Sequence, residues 1–525
     1  MKTPTVLVAE PLAAEGVAVL RAGGVDVREA FDQPRAALRS LLSDADGLIV
    51  RSKTKVDAEM IAGAPALRVV GRAGVGVDAI DVAAATQAGI VVLNTPDAST
   101  IATAEHTIAM MLALCRNVSA GQDRVRSFQW SAKGLMGTEL YGKTLGIVGL
   151  GRIGAAVAAR ARGLGMTVLA HDTFVSESRA EAAGAKLVSL DDLLGRADFI
   201  SLHAPLTSQT QSFIGARELA LMRAGARIIN CARGGLIVED ALLDALDNGR
   251  LAGAALDVIR DEPPAADADV WRLLRHPKVV ATPHLAGSTR EAQARIATDL
   301  CRDIVAVLSG QPPSGSVNAP AAPTAALRPF VELAATLGRA YAQLSREPAL
   351  ASFSLLFEGE LSDVDPRPFV AAFLVGLLRD VTDRRVSVVN ATQVADEMGI
   401  AVETLAAPCE RGFARALSVR GGKTSLAGTI VHGEQLRLVE IDGFEIDAVP
   451  RGHLIVTWHA DVPGIVGKAG TILGQAGINI ATMNVARRDD GTALMLLAVD
   501  RNLDEAGLQQ LRSIGELHDV RSIEL

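Results

Sequence analysis

Cysteine is scarce in this sequence. The 525 residues contain four, Cys115, Cys231, Cys301 and Cys409, none within fifty residues of another. That spacing excludes a disulfide framework and a cysteine-based metal cluster, and it fits a reducing compartment. Long apolar runs are missing too. No stretch reaches the roughly 18 uncharged apolar residues of a membrane span, and the opening MKTPTVLVAEPLAAEG has no signal-peptide core. The expectation is a cytoplasmic protein with no membrane partner. A basic excess is also lacking. Lysine and arginine number 52 against 60 aspartates and glutamates, a formal net charge of −8. Phosphate backbones require a basic face, so nucleic acid is not expected as a partner.

What is present is apolar residue in quantity, 49% against 21% charged, enough to bury large cores rather than stay disordered. At about 150 residues per domain the length allows three to four domains. The first half alternates short apolar runs with helical patterns, the mark of an α/β fold with a parallel sheet. Strands are expected at 5–9, 47–50, 69–71, 91–94, 145–148, 167–170, 199–203, 227–230, 253–258 and 279–282, and a nearly all-apolar helix at 101–116. Residues 310–323 (GQPPSGSVNAPAAP) read as a linker. From 324 to 450 no chemical motif is legible, although 369–378 reads as a helix and 385–389 as a strand. The last 75 residues order as βαββαβ, with strands at 454–459, 479–487 and 492–500, helices at 464–476 and 503–514, and a hairpin turn at Asp490–Gly491.

One stretch carries a nucleotide signature. In LGIVGLGRIGAAVAARARGLGMTVLAHD (145–172), Gly149, Gly151 and Gly154 follow a strand and open a helix. The first glycine permits a tight turn, the second lets backbone approach a pyrophosphate, and the third lets helix and strand pack closely. A second strand then ends at Asp172, whose carboxylate suits ribose hydroxyls and repels a 2′-phosphate, favouring NAD over NADP. The duller reading is an ordinary strand–helix turn with Asp172 a solvated loop end.

Three further segments place polar groups just past strands, where open α/β sheets bind ligands. IINCARGG holds Arg233, AALDVIRDEPP holds Asp257 and Glu262, and ATPHLAGST holds His284. An arginine offers a planar fork to a carboxylate. A histidine moves a proton near neutral pH, and a carboxylate beside it stabilises the charged imidazole. Singly, each is more often a surface charge or a capping residue. Jointly, beside a nicotinamide, they suit oxidation of a 2-hydroxy acid.

GLGRIG with Asp172, NCARGG, ALDV…DEPP and TPHLAGST together resemble the D-isomer-specific 2-hydroxyacid dehydrogenase family. The whole chain is similar to the family's long, phosphoglycerate-oxidising form. The resemblance implies a Rossmann-type NAD domain (99–284) inserted in a flavodoxin-like substrate domain (1–98 and 285–315). An α+β intervening domain (316–450) and a βαββαβ ferredoxin-like ACT domain (451–525) would follow. It implies Arg233, Glu262 and His284 as catalytic residues. The cofactor would touch Gly149, Gly151, Arg152, Ile153, Gly154, Asp172, Cys231, Ala232, Arg233, Asp257, His284 and Ala286, with Asp257 at the nicotinamide carboxamide and Cys231 a small filler. The substrate, 3-phospho-D-glycerate, would meet Arg51, Arg72, Gly74, Val75 and Gly76, and no metal is implied. His459, Asp461 and Asn479 would hold an effector, L-serine, and self-association to a dimer or tetramer is usual. Two positions depart from the usual pattern, Ser99 for asparagine and Val462 for arginine. Alternatives are another 2-hydroxy acid, such as 2-hydroxyglutarate or glyoxylate, or a non-catalytic NAD- or ligand-sensing protein. About 315 residues suffice for a two-domain dehydrogenase of this kind, so the remaining length points to regulation.

Overall fold

The computed structural model describes residues 3–321, 323–345 and 352–525. Two parallel sheets build the first half. One holds, in spatial order, Asp26–Glu29, Thr5–Val8, Gly47–Val50, Val69–Arg72 and Val91–Leu93. The other runs Val279–Ala281, Leu251–Leu256, Ala226–Asn230, Phe199–Leu202, Thr144–Val148, Thr167–His171 and Lys186–Leu187. Both are covered by helices on two faces, so their inner strands are continuous runs of buried Val, Ile, Leu and Ala. The order of the second sheet reverses between Thr144–Val148 and Phe199–Leu202, which opens a crevice beyond the carboxyl ends of those strands.

The expected inner strands occur within two residues of their expected bounds. The two that sequence patterning misses, Asp26–Glu29 and Lys186–Leu187, are edge strands with no fully buried residue. Edge position lets charge replace the apolar run.

The chain crosses between the two lobes twice. Helix Thr100–Cys115 leaves the first lobe and lies against helix Arg152–Gly163 and strand Leu251–Leu256. It buries Ala102, Ala104, Met110, Met111 and Leu114. Helix Arg290–Leu308 returns, packing Ile296, Leu300 and Ile304 under the first sheet. Its fit is close: a Cβ at Gly16 would lie 2.7 Å from that of Ala297, and one at Gly71 2.9 Å from Ile304.

The expected linker is no free tether. Asn318 accepts from Val92 N at 2.8 Å and donates to Ile90 O and Thr86 Oγ1, and Asp303 accepts from Ser314 N and Gly315 N. Residues 314–318 are thereby pinned along the edge of the first sheet. The strand expected at 385–389 is a loop instead. Asn390 accepts from Ser387 N and donates to Arg385 O, closing a turn where a ladder would need an open edge.

The C-terminal half contains a six-stranded sheet, ordered Ala401–Ala407, Ser352–Gly359, Arg415–Gly421, Thr424–Val431, Gln435–Ile441 and Phe444–Ala448. Helices Arg328–Leu344 and Arg367–Leu378 cover it, crossing where glycines face backbone. A Cβ at Gly338 would lie 2.1 Å from Phe373 O. The last unit is an antiparallel sheet, ordered Ile480–Arg487, Thr492–Val499, His453–Ala460 and Leu517–Glu524, with helices Ile465–Gln475 and Glu505–Arg512 on one face. Strand alternation serves two cores. Leu454, Val456, Trp458, Leu494 and Leu496 join the core of the six-stranded unit, whereas Ile455, Met495 and Leu497 face the unit's own helices. Arg488 extends the join, its guanidinium 3.8 Å over the Phe444 ring. No helix among the described residues is long and apolar enough to cross a membrane.

Candidate active site

The glycine turn lies at the reversal point of the seven-stranded sheet. Gly149 takes φ +91°, and a Cβ there would press 2.8 Å against the backbone of His203 and Ala204. A Cβ at Gly154 would lie 2.2 Å from Gly149 O, so that position must also be glycine. Gly151 is different. Nothing lies within 4 Å of where its Cβ would stand, and it caps helix Arg152–Gly163 with no side-chain hydrogen bond. Open space meets free N–H groups there, the requirement of a dinucleotide pyrophosphate. Asp172 stands beside the turn, accepting from Leu150 N at 2.8 Å with one oxygen and from Phe174 N at 2.8 Å with the other. Arg152, expected at the pyrophosphate, forms an ion pair with Asp97 of the crossing segment. Ile153 follows it in the first turn of the helix.

The next strands deliver the polar groups. Asn230 is buried and braces the loop beyond its strand, accepting from Ala232 N at 3.1 Å and donating to Arg233 O at 2.8 Å. Arg233 directs Nη1 to Ala232 O at 2.7 Å and lies 3.6 Å through Nε from Asp78 of the other lobe. Gly234 is forced: a Cβ there would fall 1.8 Å from the backbone of Ile259. Cys231 is buried, and burial, followed by the charge of Asp257, pushes its thiol up to about 12. It is therefore no nucleophile at neutral pH.

Asp257 organises the histidine loop. It is 1% exposed, yet its carboxylate accepts from Thr282 Oγ1 at 2.6 Å, Leu285 N at 2.7 Å and Ala286 N at 2.9 Å, with His106 Nε2 at 3.3 Å. Burial alone would raise its pKa; His106, Thr282 and the two backbone donors outweigh that and hold it low. The loop so held places His284 at φ +53°, a left-handed conformation fixed by His284 N donating to Asp257 O at 2.8 Å. His284 Nδ1 then meets Glu262 Oε2 at 2.6 Å, and Glu262 Oε1 accepts from Ile259 N at 3.0 Å. With Nδ1 engaged, Nε2 is the nitrogen free to face a ligand.

The first lobe brings cations to the same cleft. Arg72 ends its strand and folds back so that a Cβ at Gly74, where φ is +143°, would collide with its guanidinium. A Cβ at Gly76 would lie 2.2 Å from Arg233 Nη2. Burial, then the charges of Arg233 and Arg51, bring the Arg72 pKa down to about 10, with Asp78 and Glu10 opposing. Arg72 is therefore the cation that gains most when an anion arrives. Arg51 lines a cavity of about 530 Å³ with Ser288, Thr289, Arg290 and Gln293. Its loop is braced by Glu10, buried and accepting from Arg51 N, Lys53 N and Thr54 N. Val75 lies between Gly74 and Gly76, its carbonyl accepting from Asn94 Nδ2 at 2.6 Å.

Sequence reading did not single out Glu10, Asp78, His106 or Thr282. His106 was visible only as a histidine next to Glu105 in an otherwise apolar helix, and Asp78 as an acid inside GVGVDAID.

The three expected effector residues do not converge within one chain. His459 and Asp461 lie at one end of the last sheet, where Asp461 Oδ1 is 3.3 Å from Arg487 Nε. His459 is 3% exposed, and its Nε2 has no hydrogen-bond partner among the described residues. Strand register puts Ile480 opposite Val499, and Val499 opposite His453. Asn479 is thus at the far end, about 20 Å away by strand rise. Among the described residues no cluster of His, Cys, Asp or Glu could hold a metal ion.

Comparisons with known proteins agree with this layout. The profile described as "D-isomer specific 2-hydroxyacid dehydrogenase, NAD binding domain" matches residues 108–286. The "D-3-phosphoglycerate dehydrogenase intervening domain" matches 326–442, and the ACT domain 453–516. The chain is 41% identical to D-3-phosphoglycerate dehydrogenase of Bacillus subtilis, over 91% of this chain and 92% of that one. It is 40% identical to that of Archaeoglobus fulgidus, over 99% and 100%. Among solved structures, the TT0316 protein of Thermus thermophilus covers 60% of this chain and 99% of its own at 37% identity and TM-score 0.55. D-lactate dehydrogenase of Aquifex aeolicus, complexed with NAD and lactic acid, covers 60% and 100% at 29% identity and TM-score 0.54. With near full-length relatives of one name, and with matches to the NAD-binding, intervening and ACT domains, the chain belongs to the D-3-phosphoglycerate dehydrogenase family.

Proposed function

We infer that the cleft oxidises 3-phospho-D-glycerate to 3-phosphohydroxypyruvate, the first step of a phosphorylated route to L-serine, in the cytoplasm. The observation that carries the substrate reading is the gathering of Arg51, Arg72 and Arg233 at one cleft, where burial and then the two neighbouring guanidinium groups bring the Arg72 pKa down. A single carboxylate needs one arginine fork; a carboxylate and a phosphate occupy all three. NAD supplies the hydride acceptor for C2. It would be held at Gly149, Gly151, Arg152, Ile153, Gly154 and Asp172, with Cys231, Ala232, Asp257 and Ala286 at the nicotinamide end. Arg51 and Arg72 take the phosphate. Arg233 takes the carboxylate with the backbone around Gly74, Val75 and Gly76. His284 Nε2 removes the C2 hydroxyl proton, and Glu262 stabilises the imidazolium so formed. The thiols are all unpaired, as a reducing cytoplasm requires.

The test is direct. Protein, NAD and 3-phosphoglycerate at alkaline pH should yield reduced cofactor, read by absorbance. Turnover on an unphosphorylated hydroxy acid alone would overturn the substrate.

Two finer readings follow. Serine is the proposed effector, and since Asn479 lies far from His459 and Asp461, its site is completed by a second copy. Serine titrated into the assay should slow the reaction, and Asn479→Ala should abolish the response; a wild-type rate indifferent to serine would refute it. Self-association rests on the 118–141 segment, where Phe128, Trp130 and Met136 are 100%, 93% and 93% exposed beside Val118, Val125 and Tyr141. Apolar clusters of that size are covered in functioning proteins. Trp130→Glu should lower the sedimenting mass.

A further inference from the structure

Asp78 lies in the loop after strand Val69–Arg72, in the first lobe; its ion pair among the described residues is with Arg233 of the second, and its charge also reaches Arg72. The gap of 3.6 Å from Asp78 Oδ2 to Arg233 Nε is an ion pair too long for a hydrogen bond. The two side chains differ in setting, Asp78 being 69% exposed and Arg233 28%. Gly76 keeps the space between them open: a Cβ there would stand 2.2 Å from Arg233 Nη2 and 2.6 Å from Asp78 Oδ2.

The guanidinium has a spent side and a free one. Nη1 already donates to Ala232 O. A carboxylate that grips Arg233 bidentately is left the edge made by Nε and Nη2. That is the edge Asp78 faces. The other acid whose charge reaches Arg72, Glu10, is fixed by three backbone donors and is 7% exposed. Among the described residues no backbone donor anchors Asp78, so it is the carboxylate that can yield.

We propose that Asp78 is an exchangeable counter-ion of Arg233, a positioning residue that occupies the carboxylate-binding edge from the opposite lobe until substrate displaces it. The inference rests on the reading of this cleft as the 2-hydroxy-acid site. Displacement has a selective consequence. A ligand anchored at its far end by Arg51 and Arg72 presents its carboxylate at high local concentration and wins the edge. An unphosphorylated acid has no such anchor and competes poorly. Asp78 thereby weakens every carboxylate by a similar factor, and a doubly anchored substrate still fills the site at concentrations at which a monocarboxylate does not.

The experiment compares wild type, Asp78→Asn and Asp78→Glu, each loaded with reduced NAD. Oxamate, a monocarboxylate that is not turned over, is titrated by calorimetry. Its affinity should rise roughly two- to fivefold in Asp78→Asn, the scale of a partly exposed ion pair. Asp78→Glu should bind it as wild type does, and added salt should shrink the difference. In kinetics the gain should appear as a lower KM for 3-phosphoglycerate rather than a change in kcat. Unchanged or weaker oxamate binding in Asp78→Asn would overturn the proposal, since Asp78 would then be idle or would orient Arg233 productively. If wild type fails to oxidise 3-phosphoglycerate, the substrate reading falls, while the oxamate titration still decides the role of Asp78.

Discussion

His284→Asn should lower kcat by about 10²- to 10⁴-fold while leaving NAD affinity nearly unchanged, the range expected when a positioned acid–base group is removed. The geometry fixes why the loss is so large. His284 Nδ1 is bound to Glu262 at 2.6 Å, so the ring is held with Nε2 outward. The backbone conformation that places it there, φ +53°, is sustained by hydrogen bonds to Asp257 and Thr282 carbonyls. Asparagine tolerates a positive φ better than most residues and preserves the loop, so the variant isolates the chemistry from the fold. Glu262→Gln is the companion. It keeps an acceptor for Nδ1–H but removes the charge that stabilises the imidazolium, so it should cut kcat less severely than His284→Asn does. Stopped-flow mixing with cofactor fluorescence separates binding from the hydride step. A His284→Asn enzyme with kcat within tenfold of wild type would assign the proton transfer elsewhere.

Much of this site could be read before any coordinates because its parts stand at strand ends. Strands such as Thr144–Val148 and Ala226–Asn230 are buried on both faces, which writes them as runs of Val, Ile and Leu. Whatever polar residue follows such a run is exposed to the crevice, and Arg233, Asp257 and His284 were legible on that ground. Asp78 was not, because its meaning depends on two lobes, 155 positions apart in sequence at Asp78 and Arg233, closing on one another. His106 was hidden likewise: a helix that is apolar nearly all round gives no hint that one residue reaches Asp257. Arg385–Val389 misled because β-branched residues promise a strand only where a neighbour has a free edge, and here Asn390 closes the loop instead. In the effector unit the residue types were readable, but the strand register that separates Asn479 from His459 was not.

Replacing Arg411 by methionine should destabilise the six-stranded unit by about 3–5 kcal/mol, the cost of breaking a buried ion pair from one side. Arg411 Nη1 donates to Glu358 at 2.9 Å and Nη2 to Glu440, and these two carboxylates are 3% and 9% exposed. Ser418 and Ser425 add hydroxyl donors, the latter at 2.8 Å to Glu440. One arginine therefore bridges two acids carried on strands Ser352–Gly359 and Gln435–Ile441, with the serines contributed by the two strands between them. Methionine fills similar volume, so the loss measured is electrostatic rather than a cavity. Burial raises the Glu440 pKa, but Ser425 and Arg411 outweigh it and hold it below its ordinary value. A depressed carboxylate pKa adds stability above the unfolded pKa near 4.5 that is lost as pH falls through the folded value. In Arg411→Met the sign reverses. Glu440 no longer has its cation and takes up a proton more readily folded than unfolded, so acidification toward pH 5 should recover part of the lost stability. Arg384→Ala, which breaks an exposed pair with Glu397, is the control and should move the thermal midpoint little. Equal midpoints for the two variants at neutral pH would mean that the buried triad contributes nothing to holding the C-terminal half together.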